Sequence, residues 1–152
     1  MNTLFQRYKV IQEARTWLDT PYFSCADVKG AGVDCGMILV RVFCDTGICE
    51  PFDPRPYSPD WHLHKREEKY LSFVSERCKE IKREEADIGD IIVFRIGRCY
   101  AHGGIITNPN PLTIIHAYSK LGKVVETAIQ QCSDLNQQQR RPRFFSYFEG
   151  KP

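Results

Sequence analysis

The chain has 152 residues, 42% of them hydrophobic and 26% charged, with a formal net charge of +2. That balance suits a globular domain with a core of its own and excludes both a disordered tail and a strongly cationic nucleic-acid binder. No apolar run approaches the ~20 residues needed to span a bilayer, and the start lacks the basic, apolar and small-residue order of a signal peptide. We therefore expect one domain over residues 1–152, made and folded in the cytoplasm, with neither nucleic acid nor membrane as partner.

In chain order, Leu4, Tyr8, Ile11, Ala14 and Leu18 recur at helical spacing, with Gln6, Arg7, Lys9, Gln12, Glu13 and Arg15 between them. This predicts a packing helix over Asn2 to Leu18, ended by Asp19-Thr20-Pro21, because the residue before a proline is pushed out of the helical region. Tyr22 to Val33 has no clear period and contains Gly30 and Gly32, so a loop is expected.

Gly32-Val33-Asp34-Cys35-Gly36-Met37-Ile38-Leu39-Val40 then reads as a helix start. Asp34 is a good N-cap, since its carboxylate can accept from first-turn N–H groups. Ile38, Leu39 and Val42 follow at helical spacing, and Gly47 is a stop. Cys35 shares the buried stripe. A thiol in the first turn lies at the positive end of the helix dipole, which favours thiolate and hence a nucleophile. The competing reading is a small buried hydrophobe.

The seven cysteines, at positions 25, 35, 44, 49, 78, 99 and 132, form no Cys-x-x-Cys pair. The odd count and the spacing argue against both a disulfide framework and a structural zinc site. No structural zinc is expected from this spacing. Pro51, Pro54, Pro56 and Pro59 follow, closing on Pro56-Tyr57-Ser58-Pro59-Asp60-Trp61. The segment reads either as a rigid surface crossover or as a cleft wall exposing Tyr57 and Trp61. His62 and His64 come next and read as a solvated helix start, with no partner set to complete a metal site. The charged run Lys65 to Lys69, with Tyr70, Leu71, Phe73, Val74, Cys78 and Ile81 behind it, predicts a third amphipathic helix.

From Ile88 the period becomes strand-like. Asp90 to Ile96 reads as a buried strand, and Ala101 to Thr107, Leu112 to Tyr118, Lys123 to Thr127 and Arg143 to Phe148 as four more. Short connections imply an antiparallel meander. Helices first and strands later indicate α+β, with the helices on one side of the sheet. Gln130 to Arg141 is polar and glutamine-rich, an exposed loop or short helix. His102, in Ala101-His102-Gly103-Gly104, and His116, in Ile115-His116-Ala117, fall on consecutive strands. A nucleophilic thiol needs a base, and the base needs a polar group to fix its ring. Cys35, His102 and His116 can supply these parts.

Thr20-Pro21-Tyr22, Gly32-Val33-Asp34-Cys35, Ile88-Gly89-Asp90-Ile91-Ile92-Val93-Phe94, Ala101-His102-Gly103-Gly104-Ile105 and Ile115-His116-Ala117 resemble, in order, the motifs of the NlpC family of papain-like cysteine peptidases, over about Thr3 to Phe148. The crossover 56–61 further resembles the subset encoded with bacteriophage tails and gene-transfer agents. The resemblance implies a papain-like NlpC-type α+β fold and a thioester mechanism, with Cys35 as nucleophile, His102 as base and then acid, and His116 orienting it. It implies substrate-binding roles for Tyr22, Asp34, Gly36 and Gly103, a peptidoglycan stem peptide cut between D-glutamate and a diamino acid, and no need for a metal or organic cofactor. Phage-tail or gene-transfer-agent proteins are implied partners, with lysis, a phage particle or another carrier giving access to the wall. Relatives usually carry Asp-Cys-Ser-Gly or Asp-Cys-x-Gly, whereas Gly36-Met37 follows Cys35 here, so the subsite beside the nucleophile departs from the family. An amidase or acyltransferase on the same scaffold, or a tail-assembly protein without turnover, are the alternatives.

Overall fold

The computed structural model describes residues 3–57 and 68–148. Three helices, α1 (Thr3–Arg15), α2 (Met37–Asp45) and α3 (Lys69–Ser75), precede most of a sheet formed by β3 (Lys79–Ile81), β4 (Ile91–Ile96), β5 (Cys99–Pro109), β6 (Leu112–Tyr118), β7 (Lys123–Ala128) and β8 (Arg143–Ser146). A two-stranded ribbon of β1 (Asp27–Val28) and β2 (Gly32–Val33) lies in the loop ahead of α2. The large sheet runs β3-β8-β4-β5-β6-β7, antiparallel throughout. The expected meander is thus β4 to β7. The last strand returns to the other edge and pairs with β4, Val93 opposite Arg143, rather than continuing past β7.

Alternation along β4 explains why both faces are covered. Ile91 and Val93 pack with Val10, Ala14, Ile38, Val42, Tyr70 and Phe73 of the helices. Ile92 and Phe94 point the other way, into a smaller cluster with Ile106, Ile114, Ile129, Leu135 and Phe144. The helices therefore occupy one face, as a period-2 strand with two apolar sides demands. Ile129 and Leu135, in the polar segment after β7, close the other.

Two expectations about the helices need correction. The buried face of α1 consists of Arg7, Val10, Ile11 and Ala14, while Leu4 and Tyr8 are 53% and 54% exposed. The cause is Arg7, whose guanidinium reaches Asp90 at 2.9 Å and the Ile88 carbonyl at 2.7 Å, and so rolls the helix toward its own side. The third helix stops at Ser75, and Lys79–Ile81 pairs with Phe144–Ser146 as a strand. Edge pairing with β8 there overrides a helical pattern that only Cys78 and Ile81 extended. His62, His64, Trp61 and the start of the charged run at Lys65 lie outside the described residues.

Candidate active site

The segment before α2 is organised by Asp34, which is 2% exposed. Its Oδ1 accepts from the Gly36 and Met37 N–H groups at 3.1 and 2.8 Å, and its Oδ2 accepts from the Cys25 N–H at 2.6 Å. Tyr57 donates its hydroxyl to the same carboxylate, 2.8 and 2.7 Å from the two oxygens. Asp34 thus caps the helix as its residue type predicts, although the regular helix begins at Met37. Tyr57, which the cleft-wall reading of this segment would expose, is 8% exposed and serves this carboxylate. Tyr70 donates to the Cys35 carbonyl at 2.8 Å and fixes the backbone at the thiol.

Cys35 is 3% exposed. Its Sγ lies 3.5 Å from the Ala101 carbonyl oxygen and 3.9 Å from the Tyr22 hydroxyl. Ala101 occupies a β-bulge: Phe94 is opposite His102 and Arg95 opposite Tyr100, so Ala101 has no partner in the register. A bulge re-aims the strand locally, and here it presents a carbonyl to the thiol. Tyr22 is pinned by its N–H to the Gly122 carbonyl at 2.8 Å and bridges to Val33, which brings its hydroxyl beside Cys35.

His102 Nε2 and His116 Nδ1 are 2.8 Å apart, and His116 Nε2 is 3.1 Å from Thr127 Oγ1. His102 sits between Phe94 and Tyr118, with ring centroids 6.0 and 5.6 Å away, and Tyr118 stacks on His116 at 4.8 Å. One tautomer pair leaves His102 Nδ1 able to take a proton: His102 protonated on Nε2 and donating to His116, with His116 donating from Nε2 to Thr127. Cys35, His102, Tyr22 and Tyr118 line one cleft of about 240 Å³, closed by Ile96, Lys120, Asp134, Leu135 and Arg140. A larger cavity of about 540 Å³, between Phe52 and Arg77, contains neither Cys35 nor a histidine.

Burial sets the protonation states. The Cys35 thiol is pushed well above its ordinary value by burial and then by the Asp34 charge, which outweigh the hydrogen bonds from Tyr22 and the backbone. The helix-start argument alone would make it a thiolate. The first-turn N–H groups of Gly36 and Met37, however, are spent on Asp34. Burial lowers His102 to about 4, with Asp134 opposing the shift and Arg140 adding to it. Burial and the neighbouring His102 bring His116 down to about 2. At neutral pH the site holds a thiol beside two neutral imidazoles.

The structure thus brings Cys35, His102, His116 and Tyr22 together. Gly36 sits in the backbone turn under Asp34 rather than among the cleft-lining groups, and its φ of −83° suits any residue. Gly103 is buried on the opposite side of β5 from His102. A Cβ there would meet the Tyr70 hydroxyl at 2.6 Å and the Ile92 carbonyl oxygen at 2.9 Å, so its contacts are those of tight packing. Asp34, with both oxygens occupied, likewise faces the protein. Sequence reading missed Tyr118, Thr127, Asp134 and Arg140. Their only sequence signal was position: Tyr118 and Thr127 fall on strands neighbouring His102 and His116, and the other two lie in the segment 130–141 that reads as surface. Among the described residues no group of three or more His, Cys, Asp and Glu side chains is placed to hold a metal ion.

No family model and no curated protein sequence matches the chain. Solved structures do. The NlpC/p60 domain of the peptidoglycan hydrolase SagA superposes with a TM-score of 0.63 at 18% identity, covering 92% of this chain and 97% of that one. The P60 domain of an antigen from M. avium subspecies paratuberculosis gives 0.62 at 18%, covering 96% and 97%. An N-acetylmuramoyl-L-alanine amidase from Bacteroides uniformis gives 0.59 at 14%, covering 93% and 97%. The chain has the papain-like α+β fold of NlpC/p60 domains.

Proposed function

We propose that the chain is a cysteine hydrolase of peptidoglycan stem peptides. The observation that carries this reading is the 2.8 Å His102–His116 hydrogen bond, in a cleft lined by both His102 and Cys35. Substrate entering the cleft displaces water, and Cys35 Sγ gives its proton to His102 Nδ1 as sulfur attacks the carbonyl carbon. His116, held by Thr127, steadies the imidazolium. The Tyr22 hydroxyl and the Cys35 N–H are the donors on hand for the developing oxyanion. Tyr22 keeps its proton, because burial and then the neighbouring Cys35 and Asp34 raise it further above neutral. His102 then protonates the leaving amine, a thioester remains on Cys35, and water activated by His102 hydrolyses it.

The bond is that of a D-glutamyl–diamino acid endopeptidase, supported by the ordered motifs around Cys35, His102 and His116. One similar structure is named as an N-acetylmuramoyl-L-alanine amidase, which favours cleavage at the lactyl amide as the second reading. Action within a phage tail or gene-transfer-agent particle rests on the crossover motif at 56–61, most of which lies outside the described residues. Mass spectrometry of a muropeptide digest tests the reading. Fragments ending in D-glutamate are expected with the wild-type protein and not with Cys35→Ala or His102→Ala. Fragments severed at the lactyl amide would assign the amidase bond, and a digest unchanged by either substitution would overturn the reading.

A further inference from the structure

Tyr118 is the link between the histidine pair and the segment after β7. Its ring stacks on His116 with centroids 4.8 Å apart and planes 30° apart, and its hydroxyl donates to Asp134 Oδ2 at 2.7 Å. Asp134 is held in turn. Arg140 Nη2 lies 2.6 Å and Lys120 Nζ 3.0 Å from Oδ1, and Arg140 Nε donates to the Asp134 carbonyl at 3.1 Å. The Asp134 and Arg140 side chains are only 17% and 15% exposed, so this pair is weakly screened. Burial alone would raise the Asp134 carboxyl; donors on Tyr118, Lys120 and Arg140 instead bring it to about 2, and it is a carboxylate acceptor at any working pH.

From these contacts we infer that Asp134 is a positioning residue: by accepting the Tyr118 hydroxyl it locks the phenol ring against His116 and so maintains the His116–His102 hydrogen bond. Tyr118 is buried but lines the cleft, whose space of about 240 Å³ lies beside it. Released from Asp134, its ring turns into that space about Cα–Cβ, and His116 loses the surface that sets its plane. The effect on turnover rests on the hydrolase reading above; the effect on the imidazoles does not.

Two readouts on the full chain separate them. In Asp134→Ala and Tyr118→Phe, the His116 ring-proton resonances are expected to move downfield, out of the Tyr118 ring current. In both variants kcat on muropeptides is expected to fall about ten-fold with little change in KM, as for a catalytic group held less well. Asp134→Glu, which keeps one carboxylate oxygen for Tyr118 and the other for Arg140 and Lys120, is expected to restore the resonances and most of kcat. Tyr118→Phe loses only a hydroxyl and keeps the question answerable if Asp134→Ala fails to fold. Unmoved His116 resonances in both variants, or an Asp134→Glu protein that behaves like Asp134→Ala, would overturn the inference. A wild-type protein that cuts no muropeptide would remove the hydrolase reading while the resonances still decided the role of Asp134.

Discussion

A buried thiol beside a carboxylate is a weak acid, and Cys35 is both 3% exposed and adjacent to Asp34. In the mechanism proposed above, its proton leaves only when substrate and His102 are both in place. Free Cys35 is therefore expected to react with iodoacetamide at pH 7 no faster than the half-buried thiols, with a rate still climbing above pH 9; a plateau below pH 7 would show a resting thiolate. His102 has to be neutral to act as base. Because burial lowers it to about 4 from the ordinary 6.5, kcat/KM is expected to hold from neutral pH downward and to fall only as pH drops through about 4. A limb near 6.5 in the pH profile would mean an exposed imidazole. Gly103→Ala places a methyl 2.6 Å from the Tyr70 hydroxyl, and the loss is expected at about 1–3 kcal/mol by chemical denaturation. The juxtaposition of Cys35, His102 and His116 was legible in sequence, since each sits in a short motif on the helix start or on one of two consecutive strands. Asp34 was legible as a cap. What occupies its oxygens was not, because Cys25 and Tyr57 approach through tertiary structure.

Among the elements, period and composition identified β4 to β7 to within two residues at each end, because β-branched residues dominate β4 and recur in β6 and turn residues separate the strands. The same logic failed where one polar residue set the orientation. Arg7 looks like part of the wet face of α1, yet it turns inward to Asp90 and also lies 4.6 Å over the Phe148 ring. Removing one partner of a buried pair leaves the other charge uncompensated, so Arg7→Ala is expected to cost about 3–5 kcal/mol in urea unfolding. A cost below 1 kcal/mol would place the pair in solvent. The bulge at Ala101 was equally hidden, since nothing in Tyr100-Ala101-His102 marks a register shift. It is the feature that turns a strand carbonyl toward the thiol. The segment 130–141 is mostly exposed with short helical turns, as its glutamines suggest, but Leu135 is buried and Asp134 and Arg140 reach the site.

At the scale of the whole molecule, a sheet with two apolar faces holds its histidines out of water. Folding therefore keeps His102 and His116 neutral at pH values where the unfolded chain would protonate them. Their folded values, about 4 and about 2, lie below the ordinary 6.5. The stability they contribute is fully present above 6.5 and is lost as pH falls toward those folded values, because the unfolded state then binds more protons. Tm is accordingly expected to decline from pH 7 to pH 4, and less steeply in His116→Gln; a flat profile would contradict burial of neutral imidazoles. The overall architecture was legible because helix-then-strand order and short turns leave few alternatives. The return of β8 to pair with β4, and the strand in place of the end of the third helix, were not, because edge pairing leaves no local signal. The central claim is that Cys35 carries the acyl group. An acid-quenched reaction with muropeptides, read by intact mass and by peptide mapping at acid pH, is expected to show a thioester adduct on Cys35 alone that disappears as products accumulate. Products formed with Cys35 never modified, or an equal yield from Cys35→Ala, would contradict it.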